Sequence, residues 1–273
     1  MYSILIACAA AVAVFLSSWR LADAAWGWAL LWGALAFLGA MFSVNYLVRK
    51  RITAVMAGMQ ALLADGQKEM QARVNAFQNR PTGDPKRIMA EMEKFQKKLL
   101  TQALEHTMKL EPFCKWTPLF SRQLNTTRMQ FHYQMQDFKK VDELMPRCLI
   151  LDPMSGAMKM ARQHVNKAPV EEIEKTFFKA KARLKYNQSV LLYSLMAWIF
   201  LKNDMPDKAH ALLVKGCKDN ENETLNRNRD RLANNKVREF NNANLGDEWF
   251  ALFLEQPKIQ MRRQQPRLDG RPF

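Results

Sequence analysis

The sequence predicts an all-α protein in three parts: a hairpin of two membrane-crossing helices, an amphipathic helical stalk and a helical body. Three observations carry this. Two long apolar runs fall within the first 48 residues, and the chain is otherwise polar for some distance after them. From residue 51 onward the apolar residues recur at three and four, the spacing of one helix face. Beyond residue 120, one arrangement of large and small residues returns about every 34 positions, the mark of a repeat architecture.

The first run, MYSILIACAAAVAVFLS, occupies residues 1–17 and is about the shortest that crosses a bilayer. The second, WGWALLWGALAFLGAMFSVNYLV, occupies 26–48 and is long enough to cross with tilt. Trp19, Trp26 and Trp28 are expected at one membrane interface and Tyr46 at the other. A cleaved signal peptide is the competing reading of the first run. The small residues Ala22-Asp23-Ala24 favour it, and the lack of Lys or Arg ahead of the apolar stretch opposes it. Arg49, Lys50 and Arg51 follow the second run directly. Positive charge stays on the cytoplasmic side, so everything after residue 48 is expected there, beneath a bacterial inner membrane. Ala29 and Gly33, Ala36 and Ala40, and Gly39 and Ser43 place small residues four apart, which lets helix backbones approach. Such faces suit packing of the two spans and also association of two copies of the chain.

The stalk follows. Ile52, Val55, Met56, Met59, Leu62, Leu63, Met70, Val74 and Phe77 form one apolar stripe to about Asn79. RPTGDP at 80–85 reads as a turn, with Asp84-Pro85 opening a second helix. That helix carries Ile88, Met89, Met92, Phe95, Leu99, Leu100, Leu104 and Met108 and is expected to stop near Glu111-Pro112. Two such helices joined by a short turn make an antiparallel hairpin. Lys86, Arg87, Lys97 and Lys98 then belong to its solvated face, with contact to anionic lipid the lesser alternative.

The best copy of the repeat is SVLLYSLMAWIFLKNDMPDKAHALLVKGCKDNE, beginning at Ser189. Tyr193, Met196, Ala197 and Phe200 are followed by Ala209, Leu213 and Gly216. This resembles the tetratricopeptide repeat, in which small residues sit where two antiparallel helices cross. Upstream, RMQFHYQMQDFKKVDELMPRCLILDP resembles a second copy. It has Gln136-Asp137-Phe138 at the turn, Val141, Met145 and Cys148 on the second helix, and Asp152-Pro153 at the close. Between them, Met160, Ala161 and His164 with Ile173, Phe177 and Ala180 make a degenerate copy. The reference positions Val141, Ile173 and Ala209 lie 32 and 36 residues apart. The resemblance covers about residues 120–223 and implies a short TPR-like α-solenoid. It places the boundaries at 1–48 for the anchor, 49–115 for the stalk, 116–240 for the repeats with a capping helix, and 241–273 for the end. Within the best copy, the apolar core 190–201 spans about 18 Å as a helix. A bilayer core of about 30 Å needs roughly 20 residues, so this stretch reads as a packed inner helix and not a third span.

After the repeats, NENETLNRNRDRLANNKVREF (220–240) reads as one polar capping helix with Leu225, Leu232, Val237 and Phe240 on its inner stripe. Asp247 is expected to cap a short helix holding Trp249, Phe250, Leu252, Phe253 and Leu254, a cluster that must be buried, most simply against the repeats. A segment recognised by a partner is the alternative. The tail from Lys258 carries Arg262, Arg263, Arg267 and Arg271 against one Asp and reads as disordered. It lacks interleaved aromatics for base stacking, which favours anionic lipid or an acidic protein over nucleic acid.

The net charge of +15 fits either an anionic partner or the basic bias of a cytoplasmic membrane protein. Cys8, Cys114, Cys148 and Cys217 form no CxxC pair, so free and mostly buried thiols in a reducing compartment are expected. His106, His132, His164 and His210 are scattered, with no HxxxH or HExxH spacing. Met154, Met158 and Met160 beside His164 read as packing and not as a copper site. No phosphate-cradling glycine loop or nucleophile elbow occurs, and no cofactor is implied.

The expectation is therefore a non-enzymatic, membrane-anchored scaffold or assembly factor. The resemblance implies that it holds partner proteins in a repeat groove, with Asn125, Arg128, Lys159 and Gln188 the candidate partner-binding residues. Trp26, Trp28, Tyr46, Arg49, Lys50 and Arg51 are the candidate membrane-interface residues. The rival expectation is an electrostatic module that binds anionic lipid or nucleic acid through its basic stalk and tail.

Overall fold

The computed structural model describes residues 2–21, 26–79, 85–117 and 119–256. Within them every regular element is helical and no strand occurs. Two compact units arise, residues 1–150 and 151–273.

The first unit begins with α1 (Tyr2–Leu21) and α2 (Trp26–Asn79). Both contain stretches long and apolar enough to cross a membrane. The second apolar run and the outgoing arm of the stalk are one unbroken helix of 54 residues, about 80 Å long. No proline interrupts it. The two helices pack where their side chains are smallest. Ala7 and Ala29 are fully buried. A Cβ at Gly33 would stand 3.4 Å from the Ala11 carbonyl oxygen. Leu38, Phe42 and Leu47 point outward. The small-residue pairs divide accordingly. Ala29 and Gly33 serve the α1–α2 contact, whereas a Cβ at Gly39 would meet nothing within 4 Å.

The turn expected at 80–85 lies outside the described residues except for Pro85, which opens α3 (Pro85–Met108). The side chains of Phe77, Lys86, Arg87, Ile88 and Met89 lie outside them too. The hairpin closes tightly at Gly66, where a Cβ would fall 2.4 Å from Leu99 Cδ2. Nearer the spans, Met59, Leu100 and Ala103 bury Phe131 of α4 (Phe120–Gln134). A 3-10 turn, Glu111–Lys115, joins α3 to α4. The partner helix α5 (Phe138–Leu144) is shorter than the repeat pattern requires, because Pro146 follows and the chain tightens into a 3-10 turn, Met145–Arg147. Val141 and Met145 are buried as expected, but Cys148 lies beyond the helix.

The second unit holds α6 (Pro153–Val165), α7 (Val170–Lys181), α8 (Val190–Lys202), α9 (Pro206–Asp219) and α10 (Glu223–Ala233). Helix α8 is its centre: every residue from Leu191 to Phe200 is buried. Helices α6, α7, α9 and α10 all touch it, which is what a helix apolar all round requires. A Cβ at Gly216 of α9 would stand 2.9 Å from the Tyr193 ring. Glycine there sets the α8–α9 distance.

The end of the chain departs from expectation. The polar helix stops at Ala233, and Val237–Glu239 forms a separate 3-10 turn that leaves Val237 exposed. Lys236 N–H donates to the Arg231 carbonyl at 2.8 Å, so a left-handed Asn235 closes the helix early. Helix α11 (Asp247–Phe250) is a single turn, and Gly246 at φ 62° caps it, not Asp247. Trp249 and Leu252 are buried as expected, whereas Phe253 is exposed. The thiols differ as well: Cys8 is exposed and Cys114, Cys148 and Cys217 are half-buried, and none of the four is in a disulfide.

Candidate protein-binding surface

The second unit carries a cleft of about 740 Å3. Leu151, Asp152 and Pro153 form one wall, Arg183, Leu184, Asn187, Gln188, Val190 and Leu191 another, and Glu221, Asn222, Asn244, Leu245 and Glu248 the third. Each wall is a helix terminus, and each is fixed by local chemistry. Asp152 N-caps α6, accepting from Ser155 N at 2.9 Å and from Ser155 Oγ at 2.7 Å. Asn222 caps α10 through Thr224 N at 2.9 Å. Asn187 takes a left-handed conformation and donates its N–H to the Asp219 carbonyl at 3.1 Å.

Behind the cleft, buried asparagines tie the helices together. Ser189 N–H donates to Asn220 Oδ1 at 3.1 Å, and Asn220 Nδ2 donates to the Gly216 carbonyl at 3.0 Å. Asn228 Nδ2 donates to Asn242 Oδ1 at 2.9 Å, and Asn242 Nδ2 to the Ser194 carbonyl at 3.1 Å. Buried amides satisfied on both sides fix one arrangement of backbone around them. No sequence motif announces this; only the run of asparagines between 220 and 244 hints at it.

The electrostatics are local and the reverse of the whole chain. Among the described residues that line the cleft, Asp152, Glu221 and Glu248 stand against one cation, Arg183. Beside it, Tyr193 Oη donates to Asp219 Oδ2 at 2.6 Å, and Lys181 pairs with the same oxygen. The hydrogen bond from Lys181, then that from Tyr193, holds the Asp219 carboxyl below its usual range. Burial pulls Lys181 down, but its hydrogen bonds with Asp219 and Tyr193 outweigh this and raise it. Tyr193 is raised, first by burial and then by Asp219. On another side of α8, the terminal aromatic cluster docks. Trp198 and Trp249 meet edge to face at 6.0 Å, and both indole N–H groups donate to Glu255, at 2.7 and 2.9 Å.

The four candidate partner-binding residues do not form one site. Gln188 lines this cleft and is exposed. Lys159 is half-buried on α6. Asn125 and Arg128 belong to the first unit. Arg128 is engaged there: its Nε donates to Thr107 Oγ1 at 2.9 Å, and its guanidinium pairs with Glu111 at 2.7 Å. It closes the end of α3 along a separate cavity of about 510 Å3. Of the membrane-interface residues, Trp26, Trp28 and Tyr46 are each at least 60% exposed, and Arg49, Lys50 and Arg51 are exposed as well. Arg262, Arg263, Arg267 and Arg271 lie outside the described residues.

Met158 and Met160 are buried core residues, and His164 stacks edge-on against Trp198 at 5.3 Å. Among the described residues no three His, Cys, Asp or Glu side chains gather closely enough to hold a metal. No family model, curated protein or solved structure matches the chain.

Proposed function

We propose that the protein is a membrane-anchored adaptor of tetratricopeptide-like construction, held at the cytoplasmic face by its two N-terminal helices and binding a segment of a partner protein in the second-unit cleft. The observation that carries this reading is the cleft itself, built at helix termini around rigid asparagine ties and lined by Gln188. Its excess of carboxylates selects a basic partner segment. The repeat construction is supported by the helix pairs α6–α7 and α8–α9, and by Ala209 and Gly216 at small-residue positions.

The test separates this from binding through the basic tail. Full-length protein and a form lacking residues 257–273 are compared for partner capture and for binding to anionic vesicles, alongside Glu221→Lys/Glu248→Lys. Capture that survives tail removal and fails on charge reversal supports the adaptor. Capture lost with the tail and indifferent to charge reversal contradicts it.

A further inference from the structure

The connection between α3 and α4 sits where a membrane surface would be, and two helix registers within the first unit place it there. Gly33 lies against Ala11 and Phe15. Equal rise along two antiparallel helices then sets Tyr2 and Ser3 opposite about residues 43–45, within a turn of Tyr46 and about one to two turns short of the basic collar Arg49–Arg51. In the stalk, Gly66 lies against Leu99. Counting back along α3 brings Met108 level with about residue 57, and the 3-10 turn that follows advances roughly 2 Å per residue. The two registers meet: Ser3 Oγ donates to the Trp116 carbonyl at 2.7 Å, and the Tyr2 and Trp116 rings pack edge to face at 5.6 Å. The connection is thus fastened to the first apolar helix at its Tyr2 end.

What it presents there is apolar and basic, apart from Glu111, whose carboxylate pairs with Arg128. Met108 is 63% exposed and Leu119 59%. Phe113 and Trp116 are half-buried, and Lys109 and Lys115 are exposed. Leu119 has φ 67°, a conformation that residues other than glycine and asparagine rarely take. Trp, Lys and exposed aliphatic side chains together are the composition of a membrane interface, with Lys stems lying along apolar surface and their charges among headgroups.

We propose that residues 108–117 and Leu119 form a lipid-contacting segment lying in the headgroup region of the bilayer beside the first span, with phospholipid as its ligand and anionic headgroups preferred. The proposal rests on the membrane-anchored reading. Its effect is to hold the stalk upright by a second point of contact, since α3 and α2 would both be tied to the same surface.

The test uses the full chain in nanodiscs of phosphatidylcholine with or without phosphatidylglycerol, doped with a phospholipid bearing a diazirine near its headgroup. Adducts are mapped by peptide mass spectrometry after photolysis. The expected result is labelling of both apolar helices and of this segment, the latter severalfold above residues 60–75 of the stalk and higher with phosphatidylglycerol. Met108→Gln/Leu119→Gln should cut labelling of the segment at least twofold and leave the apolar helices unchanged. Labelling of the apolar helices with the segment no higher than residues 60–75 overturns the proposal, including the case where a protein covers the segment. Absence of labelling in the apolar helices overturns the anchor reading itself, and the proposal with it.

Discussion

Gly216 and Tyr193 show how much rests on single atoms. The Tyr193 ring is held by Phe177, by Asp219 and by the missing side chain of Gly216. A methyl group there meets a ring that cannot retreat, so Gly216→Ala should lower stability by about 1–3 kcal/mol, read as a lower denaturant midpoint. His164 supplies a pH dependence. Burial, and then the nearby Lys202, pushes its imidazole below the usual 6.5. A depressed folded value means that protonation favours the unfolded chain. The stability is present above about pH 6.5 and is lost as pH falls through the folded value. His132 is shifted the same way, chiefly by burial. His164→Gln should therefore shrink the fall in Tm between pH 7.5 and 5.5, and adding His132→Gln should shrink it further. An unchanged slope in both variants contradicts this assignment. Of these residues, Gly216 was legible in the sequence from its place in the repeat pattern, because a packing rule demands a small residue there. The burial of His164 against Trp198 was not, since it depends on which face of α8 the terminal helix covers.

Among the elements, the helix ends carry a regularity that the residue types conceal. Helices α4, α6, α8 and α10 all close in the same way, with left-handed Gln136, Lys167, Asp204 and Asn235 spaced 31, 37 and 31 residues apart. In each, the next N–H reaches back to the carbonyl five residues earlier: Asp137 to His132, Ala168 to Gln163, Met205 to Phe200 and Lys236 to Arg231. Glycine normally marks such a position and none of the four is glycine, so the signal was weak in the sequence, carried only by Asn235 and by the turn read at Gln136-Asp137-Phe138. Lys167→Gly and Asp204→Gly should each stabilise by about 0.5–1 kcal/mol and raise Tm by a few degrees. Lys175→Gly, in the middle of α7, should instead cost about 1 kcal/mol. The long elements were legible because their periodicity is sustained: the two apolar runs, the stalk stripe and the buried α8 all appear near their expected places. The short ones were not. Pro146 and Asn235 cut α5 and α10 below the length that the apolar pattern alone suggests.

For the molecule as a whole, charge and relief are divided between two units. The first carries the apolar helices, the basic collar and the exposed apolar connection between α3 and α4. The second carries an acidic cleft in a chain of net charge +15. All-helical architecture followed from the sequence, but the cleft did not. Its walls come from residues 151–153, 183–184, 187–188, 190–191, 221–222, 244–245 and 248, helix termini and linkers with no periodic signal, brought together by packing on α8 and by the asparagine ties. One of four candidate contact residues, Gln188, lines it. A photoreactive amino acid at Gln188 of the full-length protein in native membranes, with Lys175 as the comparison position, reports whether a partner protein occupies the cleft. A discrete protein crosslink is expected at Gln188, absent at Lys175 and abolished by Glu221→Lys/Glu248→Lys. Equal labelling at both positions, or a Gln188 crosslink indifferent to the charge reversal, would contradict occupancy of the cleft by a partner.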